Sequence, residues 1–322
     1  MRLAVCLVAL LYTIPAAAWA QTAGFPAKPV RCIVPFAPGG GADGIARLIQ
    51  SPVSNNLGQS LILDNRSGAS GVIGSEIVAR AAPDGYTILL ITTTHAVNAT
   101  LIRRLPYDSI NDFAPVSLLV SQPNILVVRS GAAAQSVQDL VASARQKPNA
   151  ISFASGGNGS SPHLSGELFA LAAGVMLTHV PYKSAGPGIV DVLGGHVDMI
   201  FAGPLDVISH IKSGRLRVLA VAGAQRSTAL PDTPTVAESG YPGFESGSWN
   251  GIAVRAGTPD AIVRRLHRDI AGVLAESQQV RGNIESSGSK VVGNTPEEFA
   301  AYVRGEIAKW RSVIAKAAIK ID

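Results

Sequence analysis

The chain has 322 residues, of which 47% are hydrophobic and 15% are charged, and its formal net charge at pH 7 is +5. A chain of this length folds as one large domain or as two smaller ones, and its composition supplies a substantial core. The basic residues neither cluster nor alternate with aromatic residues, which argues against a nucleic-acid partner.

The first 20 residues have the pattern of a secretory signal peptide. The pair Met1-Arg2 precedes an apolar run from Leu3 to Ile14, and residues 18–20 read Ala-Trp-Ala, a small-x-small cleavage pattern. The apolar run is shorter than the roughly 20 residues of a membrane-spanning helix. We therefore predict a signal peptide over residues 1–20 and export of a mature chain that begins near Gln21.

Short β-rich runs alternate with helical patterns along the rest of the chain. Strands are predicted at Val30–Val34, Leu61–Leu63, Thr87–Thr92, Asn124–Arg129, Ile151–Ala154, Met199–Phe201, Leu216–Ala222 and Gly251–Val254. Helices are predicted at Ala42–Asn56, Gly71–Arg80, Ser136–Gln146, Pro162–Leu171 and Pro187–Leu193. Such alternation indicates an α/β fold built from βαβ units, with mostly parallel sheets.

A Thr-Pro pair precedes each of the last two predicted helices, Ala261–Leu274 and Glu297–Ala315. We predict that Thr258 and Thr295 cap these helices and that Glu298 completes a capping box with Thr295. One stripe of the final helix is apolar, which predicts that it packs into the core through Phe299, Val303, Ile307, Trp310 and Ile314.

Two glycine-rich segments, residues 35–43 and 155–163, each connect a predicted strand to a predicted helix. Such a turn lets backbone N–H groups approach a ligand and directs a helix N-terminus at it, which makes an anion site. Neither segment contains Arg or Lys, so recognition would use amide dipoles, hydroxyl groups and water. The alternative is that both are ordinary tight turns of an α/β fold.

The first glycine-rich segment also satisfies the dinucleotide pattern G-x-G-x-x-G over residues 39–44, with Asp64 twenty residues further on. Pro35 and Pro38 interrupt the junction where that pattern needs a strand to run directly into the turn. An NAD-binding α/β enzyme therefore stays an alternative. No nicotinamide or other cofactor is expected.

Catalytic and metal-binding patterns are weak. The sequence has no G-x-S-x-G motif, and its six histidines have no metal-ligand spacing. Cys32 lies within a predicted buried strand, and His95 follows a strand end where α/β folds place residues that face ligands. We expect no metal and no catalysis, and a secreted hydrolase is kept as the enzymatic alternative.

A family resemblance extends from Phe25 to the C-terminus. It is carried by PFAPGGGAD at residues 35–43, DNRSGASG at 64–71, APDGYT at 82–87, LPYD at 105–108, GSSPHL at 159–164, HVPYK at 179–183, LPDTPT at 230–235, AGTP at 256–259 and TPEEF at 295–299. In these segments the chain resembles the Bug family, the solute receptors of tripartite tricarboxylate transporters.

The resemblance implies a type II periplasmic-binding-protein fold, in which two α/β lobes enclose a ligand cleft. One lobe would comprise residues 23–123 and 247–322, and the other residues 124–246. The mature protein would lie in the periplasm. It would bind a small carboxylate, such as a dicarboxylate or tricarboxylate, an amino acid or an aromatic acid, for uptake or sensing. Its partner would be the membrane subunits of a tripartite transporter or a sensor protein, and we expect a monomer.

The resemblance also implies a set of ligand-binding residues. They are Phe36, Ala37, Gly39, Gly40 and Asp43 in the first loop, Gly156, Gly159, Ser160 and His163 in the second, and Ser70, Thr93 and His95 around them. For Asp43 and His163 the alternative is that they support their loops. The chain departs from the family at residues 184–186 and 255–256, and we expect these changes to leave the main site undisturbed.

Overall fold

The central strands alternate between two hydrophobic cores. In the strand Thr87–Thr92, Ile88 and Leu90 pack into one cluster of buried residues, and Leu89 and Ile91 pack into another. Because successive side chains of a strand point to opposite faces, this sheet is buried on both sides and needs helices on each. The computed structural model describes residues 24–317, so the predicted signal peptide lies outside the described residues.

Lobe 1 is built on a six-stranded sheet with the order β11-β4-β10-β3-β1-β2. Its strands are β1 Val30–Val34, β2 Leu61–Asn65, β3 Thr87–Thr92, β4 Phe113–Pro123, β10 Gly247–Arg255 and β11 Lys290–Val291. Its helices are α1 Gly41–Leu57, α2 Val72–Ala79, α3 Thr93–Leu101, α8 Asp260–Glu276, α9 Gln278–Glu285 and α10 Pro296–Ala317.

Lobe 2 is built on a five-stranded sheet with the order β7-β6-β8-β5-β9. Its strands are β5 Ile125–Arg129, β6 Ser152–Ser155, β7 Thr178–Pro181, β8 Met199–Ala202 and β9 Leu216–Val221. Its helices are α4 Val137–Gln146, α5 Ser161–Ala173, α6 Ala185–Gly194 and α7 Pro204–Lys212. The α/β prediction is therefore confirmed, with a separate sheet in each lobe.

The prediction of mostly parallel sheets is wrong. Four of the nine strand pairings are parallel and five are antiparallel. The chain leaves lobe 1 along β4 and returns along β10, so these two long strands run in opposite directions beside one another. Strand β4 was not predicted, because Pro115 and several polar residues interrupt its apolar pattern.

Three chain segments meet where the lobes join. The backbone N–H of Asn124 donates to the carbonyl of Ser246 at 3.1 Å, and the Asn124 carbonyl accepts from Ala222 at 2.7 Å. Ser246 in turn donates to the carbonyl of Ala222 at 2.8 Å. These bonds hold the outgoing and returning chains together at a hinge. The exact lobe bounds within it stay a prediction.

The helices missed by the sequence patterns are α3, α7 and α9, and the missed strands are β4, β7 and β11. Three of the nine residues of helix α3 are Thr, a poor helix former, and the helix forms because residues 93–98 are all buried. Strand β7 has no fully buried residue, so its sequence lacks a strong apolar signal.

The N-termini of the C-terminal helices agree only in part with the caps predicted from the sequence. The Thr295–Glu298 capping box is confirmed, because the Thr295 N–H donates to Glu298 Oε2 at 3.0 Å and the Glu298 N–H donates to Thr295 Oγ1 at 3.2 Å. The Thr258 cap is wrong: its hydroxyl donates to the Arg255 carbonyl at 2.7 Å, and Pro259 holds the cap position. The predicted apolar stripe of α10 is buried, as expected.

Gly251 allows helix α10 to pack against the lobe 1 sheet. A Cβ atom added there would lie 2.2 Å from the ring of Phe299 and 2.9 Å from the Ser117 carbonyl oxygen. We expect Gly251→Ala to lower the free energy of unfolding by roughly 2–3 kcal/mol, as overpacking a core does. Chemical denaturation measures the change.

The matched control is Gly282→Ala on α9, where an added Cβ meets no atom within 4 Å. Alanine is the better helix former by about 1 kcal/mol, so this variant should be as stable as the parent or more so. Equal denaturation midpoints for the two variants would contradict the packing described.

Candidate ligand-binding site

Five helices begin around one cavity at the junction of the lobes. Their N-cap residues are Gly40 of α1, Thr92 of α3, Ser160 of α5, Ser184 of α6 and Gly203 of α7, and all five line the cavity. The empty volume is about 570 Å³, including solvent at the mouth. Small-molecule sites commonly lie at domain interfaces, as this cavity does.

The cavity wall carries little formal charge, and most of its accessible surface is apolar. Within residues 24–317 its lining contains no Lys, Arg or His, and one carboxylate, Asp206. Side-chain amides come from Gln122, Asn124 and Asn250, and Phe36 and Trp249 supply aromatic surface. The first N–H groups of a helix have no partner within it and give its N-terminus a partial positive charge. Positive potential here therefore comes from helix ends.

Two hydroxyl groups in the cavity wall are buried without a partner in the described chain. Ser160 and Ser184 hold N-cap positions, yet neither side chain caps its own helix, and both Oγ atoms are unpaired. Thr92 differs, because its Oγ1 accepts the N–H of Thr94 at 3.3 Å. An unsatisfied buried hydroxyl is costly. Polar atoms of a bound ligand would supply the missing hydrogen bonds of both hydroxyl groups.

Loops from the two lobes contact each other beside the cavity. The Ala37 N–H donates to the Lys183 carbonyl at 3.3 Å. A Cβ atom on Gly40 would lie 3.0 Å from Ser184 Cβ, and one on Gly186 would lie 2.3 Å from the Gly39 carbonyl oxygen. The lobes are therefore closed, and glycine is required where the two loops touch.

Asp43 holds the first glycine-rich loop in place through hydrogen bonds. Its carboxylate is 2% exposed and accepts from the Gly39 N–H and the Asn65 amide, both at 3.0 Å, and from Arg47 at 2.7 Å. Burial favours a raised pKa for Asp43, but the hydrogen bonds from Arg47, Gly39 and Asn65 together lower it. Asp43 does not line the cavity. This geometry favours the supporting role.

His163 has the corresponding position in the second loop. Its Nδ1 accepts the Gly159 N–H at 3.1 Å, and its ring centroid lies 4.2 Å from that of His179. Burial, with a contribution from the neighbouring His179, lowers the pKa of His163 to about 3. The ring is thus neutral and ties the loop to helix α5.

His95 and Ser70 lie behind the cavity, around a smaller one. His95 Nε2 lies 3.0 Å from the Ser109 carbonyl oxygen, and its ring packs against Tyr107 and Phe113. Burial lowers the pKa of His95 to about 4. The Ser70 carbonyl accepts from the Asn98 amide at 2.9 Å. Both residues contribute to the support of the site.

The structure separates the twelve predicted site residues into two groups. The cavity is lined by Phe36, Gly40, Thr93, Gly156 and Ser160. Outside that lining are Ala37, Gly39, Asp43, Ser70, His95, Gly159 and His163. Thr93 is also bound to the protein, since its Oγ1 accepts the Trp249 N–H at 3.0 Å.

Sequence reasoning missed several lining residues. Ser184 and Ala185 lie in the cavity wall, so the family departure at residues 184–186 falls within the lining, and the expectation that it leaves the site undisturbed stays a prediction. A Ser before Ala-Gly-Pro is a possible helix cap, and that signal was available. No local sequence pattern marks Gln122, Asp206 or Ser248–Asn250 as cavity residues, because they come together only where the two lobes meet.

The described part of the chain has neither a cluster of metal ligands nor a helix suited to span a membrane. Residues 24–317 bring together no group of three His, Cys, Asp or Glu side chains suited to a metal ion. Cys32 is buried and unpaired. Among the described helices, none has the length and apolar character of a membrane span.

Known proteins resemble this chain over most of its length. BugT of Bordetella pertussis is 37% identical over 299 residues, which cover 92% of this chain and 91% of BugT. The structure of the periplasmic binding protein BugD superposes with a TM-score of 0.88 at 33% identity, covering 92% of this chain and 99% of BugD.

Two similar structures contain a ligand. Rpa4515 of R. palustris, with adipate, is 36% identical with a TM-score of 0.88, covering 92% of this chain and 99% of that one. MatC of Rhodopseudomonas palustris, with bound malate, is 31% identical with a TM-score of 0.86, covering 90% and 100%. A sequence profile described as tripartite tricarboxylate transporter family receptor matches residues 45–319. The chain therefore belongs to the Bug family of tripartite tricarboxylate transporter receptors, whose fold is that of the periplasmic binding proteins.

Proposed function

We propose that the protein is a periplasmic receptor that closes its two lobes around a small carboxylate and catalyses no reaction. The observation that carries the proposal is the convergence of five helix N-termini on a cavity whose lining holds no Lys, Arg or His in the described chain. Anions bind readily at helix N-termini, where N–H groups and the helix dipole act together. The adipate and malate held by two similar proteins support a carboxylate ligand.

Within this proposal the predicted residues have two roles. Those that line the cavity, together with Ser184, contact the ligand. Asp43, Gly159 and His163 fix the loops, as their hydrogen bonds indicate. Ala37 and Gly39 belong to the contact between the lobes. The two unpaired serine hydroxyls are the strongest candidates for direct bonds to the carboxylate.

The enzymatic alternatives find little support. No base is hydrogen-bonded to the Ser160 or Ser184 hydroxyl of the described cavity lining, as a hydrolase nucleophile would require. Asp64, which a dinucleotide site would use for the ribose, is bound by Arg31 at 2.7 Å and Arg66 at 2.9 Å. We propose export by the signal peptide, a monomeric receptor, and delivery to transporter membrane subunits or a sensor.

A thermal-shift panel tests the ligand class. It contains C4–C6 dicarboxylates, citrate, acidic amino acids and aromatic carboxylates, beside their amides, NAD and simple sugars. A ligand at 100 times its Kd stabilises the folded state by about 2.7 kcal/mol, which raises the Tm of a chain this size by about 5 °C. We expect such a shift with a free acid and none with its amide. Stabilisation by NAD or sugars alone would refute the proposal.

Gly40→Val tests whether the lobes close around the ligand. The ligand for this test is the carboxylate that raises the Tm most in the thermal-shift panel. Gly40 has a φ of −101°, so valine adds no backbone strain, but its Cβ would push against Ser184 across the cleft. We expect affinity, measured by calorimetry, to fall at least about tenfold, while the Tm without ligand changes little. Gly44→Ala, on the same helix with open space, is the control. Parental affinity in Gly40→Val would contradict contact at this loop.

Ser160→Ala and Ser184→Ala test the unpaired hydroxyls. Each should weaken binding by about 0.5–1.5 kcal/mol, the net value of a hydrogen bond, without lowering the Tm of the free protein. The contrast is Ser165→Ala, because Ser165 Oγ accepts from Asn124 at 2.7 Å and donates to the Ser161 carbonyl at 2.8 Å. That variant should lose stability. Full affinity in both cavity variants would exclude these serines as ligand contacts.

A further inference from the structure

Asp206 is the one ionisable side chain among the described residues that line the cavity. It stands at the third position of helix α7 and is half-buried. It faces the start of helix α1 in the other lobe: a Cβ atom added to Gly41 would lie 2.8 Å from Asp206 Oδ2 and 3.2 Å from Oδ1. Asp206 is therefore part of the wall where the two lobes meet.

The Asp206 carboxylate has no cationic partner. Burial raises its pKa to about 7, and a hydrogen bond from the Gly203 backbone only partly opposes this. Asp43 and Asp64, by contrast, each accept from an arginine, and their pKa values are lowered. The N-termini of α7 and α1 offset part of the cost of this half-buried carboxylate, and a ligand cation would offset the remainder.

The charged side chains on the outer side of Asp206, Arg215 and Asp191, have other hydrogen-bond partners. Arg215 lies with its guanidinium 2.7 Å from His210 Nδ1, and the Tyr182 hydroxyl donates to Asp191. These four residues and Asp206 border an external groove next to the cavity. None of them makes an ion pair with Asp206 in the closed structure.

These charges restrict the ligand. Helix N-termini favour one carboxylate group, but a second one near Asp206 would be repelled, because no Lys or Arg lines the described cavity to neutralise the pair. A ligand ammonium group at that end would pair with Asp206 and leave a single carboxylate, that of the ligand, to the helix N-termini.

We propose that Asp206 is a specificity-determining residue that selects a carboxylate bearing a cationic amino group, with the ammonium at Asp206 and the carboxylate at the N-termini of α5 and α6. This inference rests on the proposed function and narrows its substrate class to amino acids. Dicarboxylates are the competing class.

Calorimetry at pH 7.5 with matched probes tests the inference. The probes are glycine, β-alanine, 4-aminobutyrate, L-alanine, L-aspartate and L-glutamate, each beside the acid that lacks its amino group. We expect at least one amino acid to bind wild-type protein at least about tenfold tighter than its deaminated partner. Asp206→Asn, which keeps the side-chain shape, should abolish that preference. The charge-matched control is Asp232→Asn on the exposed surface of lobe 2, which should retain it.

Gly41→Ala gives a second test should Asp206→Asn fold poorly. Its Cβ would displace the Asp206 carboxylate and should reduce the same preference. Tighter binding of dicarboxylates or deaminated acids to wild-type protein, or an unchanged preference in Asp206→Asn, would overturn the inference and leave the carboxylate receptor intact. Binding of no acid of either kind would overturn both.

Discussion

Backbone N–H groups at helix N-termini supply the positive potential of this site, and they can do so only where the main chain comes close to the ligand. A lysine or arginine reaches several ångströms from its backbone, whereas an N–H group does not. The loops that precede helices α1 and α5 must therefore lie against the cavity, and their glycines permit it. Gly40 has no side chain to hold Ser184 of the opposite lobe away, and Gly156 has none to hold the start of α6 away within lobe 2. This requirement for close approach links the loop sequences to the closed arrangement of the lobes.

The topology brings these helix ends together. In a βα unit the helix begins beyond the carboxyl end of its strand, so the N-termini of successive helices gather at one edge of the sheet. Lobe 1 contributes α1 and α3, and lobe 2 contributes α5, α6 and α7. The antiparallel pair β4 and β10 carries the chain between the lobes, and the hydrogen bonds around Asn124 hold that crossing. The hinge therefore places the helix N-termini at the edge of one sheet opposite those at the edge of the other, with the cavity between them.

The sequence predicted what depends on local pattern. The glycine-rich loops, most strands and helices, the capping box of α10 and the α/β class were found because spacing and turn chemistry are local properties. Strand β4 was missed, since Pro115 and polar residues interrupt its apolar pattern: Ser117 donates to the Asn294 carbonyl within lobe 1, and Gln122 lines the cavity. Asp206 was missed for a different reason: nothing in the sequence of α7 shows that α1 lies opposite. The supporting roles of His163 and His95 likewise depend on bonds to Gly159 and Ser109 that only the folded chain shows.

The most direct measurement of the central claim is an amide NMR titration of the ¹⁵N-labelled mature protein with its carboxylate ligand. Amide resonances report hydrogen bonds to the backbone itself and so separate recognition by helix ends from recognition by side chains. The account predicts that the largest shifts occur in both lobes, at Gly41 and Ala42 in α1 and at Ser161 and Ala185 in α5 and α6. Shifts confined to one lobe, or to a second groove that is lined by Arg226, Trp249 and Lys309, would contradict it.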